Sequence, residues 1–202
     1  MKKKESLDQY KAQRDFTKTP EPKGAHKQAH SNNPLFVIQK HYASHLHYDM
    51  RLEIDGVLKS WAVPKGPSTD PSVKRLAIPT EDHPMEYATF EGVIPEGQYG
   101  AGTVMVWDIG TYENIKHSEG KPIPILDCYL NGRIEVFLHG KKLTGAYTLI
   151  RLEQSTYKKG GWLLIKMRDD YVKTSNILTS KPRSALTDRT MTQIRKGAPW
   201  EK

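Results

Sequence analysis

Within eleven residues the chain sets His41, His45, His47, Asp49 and Arg51, which include three of its eight histidines. Imidazole nitrogens with one carboxylate oxygen form a donor set for a borderline divalent ion such as Mn, Fe or Zn. A guanidinium on the same surface grips phosphoryl oxygens in a planar fork, and a metal beside an arginine is the pairing that phosphate chemistry asks for. Two other readings fit the same residue types. A solvated polar strand face carries such side chains with no metal, and two imidazoles with one carboxylate also serve non-haem Fe(II) oxygenases.

Positioning these groups falls to two strands. The apolar alternation of Phe36-Val37-Ile38 precedes the cluster, and Leu52-Glu53-Ile54 follows it. Alternate side chains of a strand share a face, so His47, Asp49 and Arg51 point one way and Tyr48, Met50 and Leu52 the other. A turn through Ala43-Ser44 brings His41 back beside His47, so that His41, His47 and Asp49 converge on one point. His45 lies in that turn and takes no part.

Further along, Lys65 follows a strand in Pro64-Lys65-Gly66-Pro67, and Arg75 opens the next one. Either can reach the same anion, or serve as ordinary surface charge. His83 precedes Pro84, whose ring restricts its backbone. It can be a supporting partner, a phosphate ligand, a proton donor or a plain loop histidine. His26, His30, His117 and His139 receive no role. Residues 91–102 are glycine-rich, but they lack the Gly-Lys-Ser/Thr ending of a P-loop and lead into a strand, so they read as a tight structural turn. No Lys-x-Asp-Gly nucleotidyl-transfer motif occurs.

The 202 residues suit one substantial domain. Lys and Arg exceed Asp and Glu by 31 to 23, which points to a polyanionic partner or an anionic membrane surface. No apolar run reaches membrane-spanning length, no signal-peptide core follows Met1, and the single Cys128 cannot form an internal disulfide. The expectation is an intracellular, reducing location with nucleic acid as partner and no membrane. Residues 1–35, with eight basic residues against four acids, read by composition as a mobile basic arm. A short helix after Ser6 carries Leu7 and Tyr10, and Thr19-Pro20-Glu21-Pro22 ends it.

Residues 36–170 form short apolar runs separated by turn residues. Asp55-Gly56 marks a two-residue hairpin, and Asn131-Gly132 and His139-Gly140 mark further turns. Strands are expected at 52–54, 57–63, 75–78, 103–107, 133–138, 145–151 and 162–166. Their number and spacing predict a mainly β fold, a compact antiparallel β-barrel with short peripheral helices, whose closure removes exposed edges. Residues 171–202 read as a surface extension with one short helix, capped by Asp188 or Thr190, carrying Met191 and Ile194, and ended by Gly197 and Pro199.

Several stretches resemble a known family: residues 36–41, Leu46-His47-Tyr48-Asp49-Met50-Arg51-Leu52-Glu53, residues 58–67, Glu81-Asp82-His83-Pro84 and residues 90–102. They resemble the 3′-phosphoesterase domain of bacterial DNA ligase D. The likeness runs from about Tyr10 to Ile165 and takes in Arg14-Asp15-Phe16, which exempts that part of the arm from the mobile reading.

The resemblance implies a compact β-barrel and a Mn2+ site, other divalent transition metals being possible, with His41, His47 and Asp49 as ligands. It implies that Arg51 and His83 contact the scissile phosphate and that Tyr87 supports them. Arg14, Asp15, Glu21, Gln39, Lys65, Arg75 and Glu81 match further active-site positions. The implied activity is healing of 3′ ends on a primer–template duplex: removal of a terminal ribonucleoside, then of the 3′-phosphate left behind, to give a 3′-OH. The implied setting is the cytoplasm of a prokaryotic cell, near the nucleoid. The chain is similar to the stand-alone members, with a separate ligase and polymerase as possible partners. An end-binding repair module without catalysis is the alternative, and an Fe(II) oxygenase a more distant one.

Overall fold

A computed structural model describes residues 7–24, 33–154 and 160–197. The elements run α1 (Asp8–Ala12), β1 (Leu35–Tyr42), β2 (Leu46–Ile54), β3 (Val57–Val63), β4 (Lys74–Pro79), a 3-10 turn (Met85–Thr89), β5 (Gly92–Ile94) and β6 (Gly102–Asn114). The two-residue strands β7 (His117–Ser118) and β8 (Lys121–Pro122) follow, then α2 (Ile125–Leu130), β9 (Arg133–Gly140), β10 (Thr144–Arg151), β11 (Trp162–Lys166), α3 (Ile177–Ser180) and α4 (Met191–Arg195).

Eight strands pair antiparallel in the order β1-β2-β3-β4-β11-β10-β9-β6, and β6 pairs back onto β1. The sheet therefore closes into the expected barrel. β5 adds a short pairing to the start of β6. The β2–β3 hairpin turns at Asp55 and Gly56, whose φ values of 52° and 73° are those of the two-residue turn that the strand twist favours.

The barrel interior is filled from alternate positions: Phe36 and Ile38 of β1, Tyr48, Met50, Leu52 and Ile54 of β2, Trp61 and Val63 of β3, and Trp107, Ile134, Val136, Leu149 and Trp162 beyond. Each large apolar side chain taken fully from water contributes about 1.5–3 kcal/mol. At one end α2 sets Tyr129 against Trp61 and Trp162, stacked on the latter at 5.9 Å.

The opposite alternation is buried too. Val37, Leu58 and Val106 lie outside the barrel wall and pack under a second apolar cluster formed by Tyr10 of α1 and Met85, Tyr87 and Ala88 of the 3-10 turn. Strand β2 is consequently buried on both faces, and Asp49, Arg51 and Glu53 lie between the barrel wall and this outer cover. Residues 7–24 are thus packed against the barrel, with Tyr10 fully buried and its hydroxyl donating to the Pro22 carbonyl at 2.7 Å.

The structure differs from the sequence expectations in the turn after β9, in the length of β6 and in the packing of the C-terminal segment. His139-Gly140 ends β9, and the turn falls at 141–143. There the buried Asp108 carboxylate accepts the amides of Lys142 and Leu143, while Gly140 N–H donates to the Leu143 carbonyl. Strand β6 runs well past Trp107, through an irregularity opposite Ile38 and Gln39.

Thr190, with Gln193, forms the capping box of α4, whereas Asp188 sits outside it at φ 56°. The C-terminal segment is also more than a surface extension, because Ile177 of α3 and Ile194 of α4 both join the main core. Gly197 follows α4 as expected, while Pro199, His26, His30 and the Lys2-Lys3-Lys4 cluster lie outside the described residues.

Candidate active site

The outer face of β1 and β2 carries the candidate residues Gln39, His41, His47, Asp49 and Arg51. The register pairs His41 with His47 and Gln39 with Asp49, so the hairpin sets the two imidazoles side by side, their ring centroids 4.8 Å apart. His41 Nδ1 lies 3.7 Å from Asp49 Oδ2, and His47 Nε2 lies 3.5 Å from Asp49 Oδ1. One donor atom from each of the three falls within 4.8 Å of the others.

The far nitrogen of each ring is already occupied: His41 Nε2 lies 3.0 Å from the Gly100 carbonyl and His47 Nδ1 3.0 Å from the His45 carbonyl. Donating there leaves the inward nitrogens as lone pairs facing Asp49, which is how ligating histidines are held by main-chain carbonyls. Burial alone would raise the Asp49 pKa. The Arg51 guanidinium is the largest opposing cause, and the carboxyl is held well below its usual range. One carboxylate and two imidazoles fit a divalent ion of the Mn, Fe or Zn type.

Arg51, two residues on, is held at every nitrogen. Its Nε donates to Gln39 Oε1 at 2.8 Å, its Nη2 to Asp49 Oδ2 at 3.1 Å, and its Nη1 approaches His83 Nδ1 at 2.9 Å. The guanidinium also stands 4.9 Å from the centre of the Tyr87 ring. Gln39 spends its amide group on the carbonyls of Tyr87 and Phe90, so the same side chain fixes the 3-10 turn and orients the arginine.

His83 is placed by backbone pairing. Its N–H and C=O exchange bonds with Leu58 at 3.0 and 2.9 Å, and Thr80 N–H donates to the Ser60 carbonyl, so residues 80–83 run on beside β3. Burial first, then Arg51 and Arg14, depress the His83 pKa well below its usual value, so the ring is neutral.

The N-terminal segment forms the remaining wall. Arg14 donates through Nε to Glu21 Oε1 at 2.9 Å, through Nη1 to the Tyr10 carbonyl at 3.0 Å and through Nη2 to Glu81 Oε1 at 3.1 Å. Burial alone would lower the Arg14 pKa, but Glu21 and Glu81 reverse the shift and raise it. Glu21 also accepts from the Thr19 hydroxyl at 2.8 Å and from the Tyr87 hydroxyl at 3.0 Å. Burial, then the neighbouring Glu21, push the Tyr87 phenol well above its usual pKa.

These groups surround one cavity of about 210 Å3, with Arg14, His41, His47, Asp49, Arg51, Glu81, His83 and Tyr87 in its walls. Glu21 and Gln39 stand behind them. Three sequence candidates lie apart. Asp15 is turned to Thr17 and Lys18, Lys65 is exposed in the turn after β3, and Arg75 falls on the Ala77 side of β4 with its Nε buried and unpartnered.

Sequence reasoning passed over the wall residues Thr80, Tyr99 and Gly100. It read the glycine-rich stretch as a turn, which it is, but the Gly100 carbonyl also orients His41. Gly102 allows this close approach: at φ 143° it lies against β1, where a side chain would run into the Tyr42 carbonyl oxygen. No signal for a main-chain contact of this kind exists in residue types alone.

Residues 39–151 match the family model described as the DNA ligase D 3′-phosphoesterase domain. The chain is 45% identical over 189 residues to the multifunctional non-homologous end joining protein LigD of Pseudomonas aeruginosa, covering 92% of this chain and 22% of that protein. It is 50% identical over 145 residues to the multifunctional non-homologous end joining DNA repair protein LigD of Mycobacterium tuberculosis, covering 72% and 18%. The Mycolicibacterium smegmatis LigD is 46% identical over 165 residues, covering 82% and 21%. The chain therefore spans about a fifth of the length of these relatives. It belongs to the DNA ligase D 3′-phosphoesterase domain family.

Proposed function

We propose that the protein is a metal-dependent phosphoesterase that heals nucleic-acid 3′ ends in DNA repair, with Mn2+ as the ion expected at His41, His47 and Asp49. The observation that carries this reading is the convergence of that donor set with Arg51, Arg14 and His83 in one cavity. Counting acids and guanidinium groups as ionised, the enclosed charges are Arg14 and Arg51 against Glu21, Asp49 and Glu81, a net of −1. A divalent ion turns this to +1, so the cavity suits a phosphate only with the metal in place.

When bound, the metal supplies Lewis-acid polarisation of a phosphoryl oxygen. Arg51, locked by Gln39 and Asp49, stabilises charge that develops on the oxygens around phosphorus, and its fixed geometry costs no reorganisation. Arg14 stands ready as the second cation. The depressed basicity of His83 supports a role as a neutral N–H donor to the phosphate rather than as the proton donor to the leaving oxygen.

In the diesterase step water oxygen joins phosphorus and the P–O5′ bond to the terminal ribonucleoside breaks. In the monoesterase step a second water oxygen joins phosphorus, the P–O3′ bond breaks and O3′ takes a proton from that water, leaving the 3′-OH and inorganic phosphate. Partners on this reading are a primer–template duplex and a separate ligase and polymerase, in a prokaryotic cytoplasm. No helix among the described residues is long and apolar enough to cross a membrane.

The oxygenase reading leaves Arg51 and Arg14 without a task, and a binder without catalysis leaves the convergent donors without one. The test is to incubate the purified protein with Mn2+ and a primer ending in one ribonucleotide. A shortened primer bearing first a 3′-phosphate and then a 3′-OH is expected. No product, or undiminished product from Asp49→Ala, refutes the reading.

A further inference from the structure

A second hollow of about 600 Å3 adjoins the catalytic cavity, and Ala43 and Ile94 form walls of both. It lies between the β1–β2 turn, β5, the start of β6 and α4, with Tyr42, Val93, Thr103 and Arg195 on its sides. Tyr42 is 55% exposed although it ends a barrel strand, and Leu46, its cross-strand partner, is 42% exposed. Of the seven large apolar side chains exposed among the described residues, Tyr42 and Val93 line this hollow and Tyr99 lines the adjoining cavity. Such a concentration of apolar surface marks a binding face.

Charge points to the kind of occupant. Arg195 and Lys196 are exposed at the end of α4, which its capping box and the buried Ile194 anchor to the barrel. Glu96 is the one acid on the walls of this hollow. Aromatic faces beside arginine are how proteins hold single strands: bases stack on the rings and phosphates pair with the cations.

We propose that this cleft holds the strand on the 5′ side of the nucleotide in the catalytic cavity, with a base stacked on Tyr42 and a backbone phosphate paired with Arg195. The inference rests on the phosphoesterase reading for its direction, because a polymer whose 3′ end fills the first cavity continues through the adjoining one.

Binding tests it independently of turnover. The probe is a fluorescent all-deoxy primer–template whose last primer nucleotides are unpaired and end in a 3′-OH, which offers no scissile bond under the proposed activity. Tyr42→Ala and Arg195→Ala should each weaken binding about tenfold, the loss expected on removing one stack or one phosphate contact, and Tyr42→Phe should stay within about twofold. Arg195→Ala should also lower the slope of log affinity against log salt by about one. Melting temperatures should match the parent, since both side chains are exposed.

Alanine variants that bind like the parent overturn the proposal, as a cleft built for a protein partner would produce. So does a parent that binds no nucleic acid. A parent that binds with these losses but trims nothing refutes the phosphoesterase reading and leaves the cleft standing. A parent that trims with KM unchanged in both alanine variants overturns the cleft alone.

Discussion

Replacing Glu21 with alanine removes the acceptor on which the N-terminal segment is fastened. Its carboxylate is fully enclosed and takes bonds from Arg14 at 2.9 Å, Thr19 at 2.8 Å and Tyr87 at 3.0 Å. Arg14 would keep Glu81 and the Tyr10 carbonyl but lose its partner at Nε, and the buried Tyr87 hydroxyl would lose its acceptor. Deleting one member of a buried ion pair costs about 3–5 kcal/mol, because the stranded charge stays out of water. For a chain of this length each kcal/mol lowers Tm by about 2–4 °C, so a fall of about 6–20 °C is expected in calorimetry.

Glu21→Gln keeps an acceptor oxygen and should lose less. A double-mutant cycle with Tyr87→Phe should return a coupling of about 1.5–3 kcal/mol, the range for a hydrogen bond to a charged group. Mn2+ affinity should be unchanged, since Glu21 touches none of His41, His47 and Asp49. A Tm shift under about 2 °C would refute the claim that this carboxylate holds the segment in place.

Three further outcomes are expected. His47→Ala should weaken Mn2+ binding at least tenfold in calorimetric titration and abolish the rise in Tm that the ion gives the parent; an unchanged isotherm would remove His47 from the donor set. Arg51→Lys should lower kcat at least a hundredfold with Mn2+ affinity kept near the parent value, because an ammonium cannot span Gln39, Asp49 and His83 at once, and equal kcat would show that point charge alone suffices. His83 is held neutral by burial and two arginines, so below about pH 6.5 the unfolded chain binds a proton that the folded chain refuses. Its contribution is therefore present in full above that pH and is lost as pH falls toward the depressed folded pKa. Denaturant midpoints between pH 7.5 and 5 should fall less steeply for His83→Asn than for the parent, and parallel curves would contradict this.

Strand alternation made the centre of the site legible before any coordinates. The period of two put His47, Asp49 and Arg51 on one face, and the short turn returned His41 to them. Motif-level likeness reached further, to Arg14, Glu21, Glu81 and Tyr87, which stand 67 positions apart at the Arg14–Glu81 bond and which no local pattern connects. What stayed hidden is the doubled burial of β2. Composition made residues 1–35 look like a free arm, yet one fully buried tyrosine and one buried arginine with its carboxylates pack residues 7–24 against the barrel. The length of β6 was hidden for a related reason. Asp108 and Gly110 look like breakers, but the first accepts loop amides and the second lets β9 pass close to His139.

The wall of the cavity is shared between the barrel and residues 7–24, so the cavity is complete only when that segment is seated. Loop length sets no order between barrel and cavity, because the β4–β11 pairing closes 85 to 91 residues and the Arg14–Glu81 bond closes 67. Local opening should follow the same seam, with residues 8–24 exchanging their amide hydrogens at a lower opening free energy than β2, which is buried on both faces.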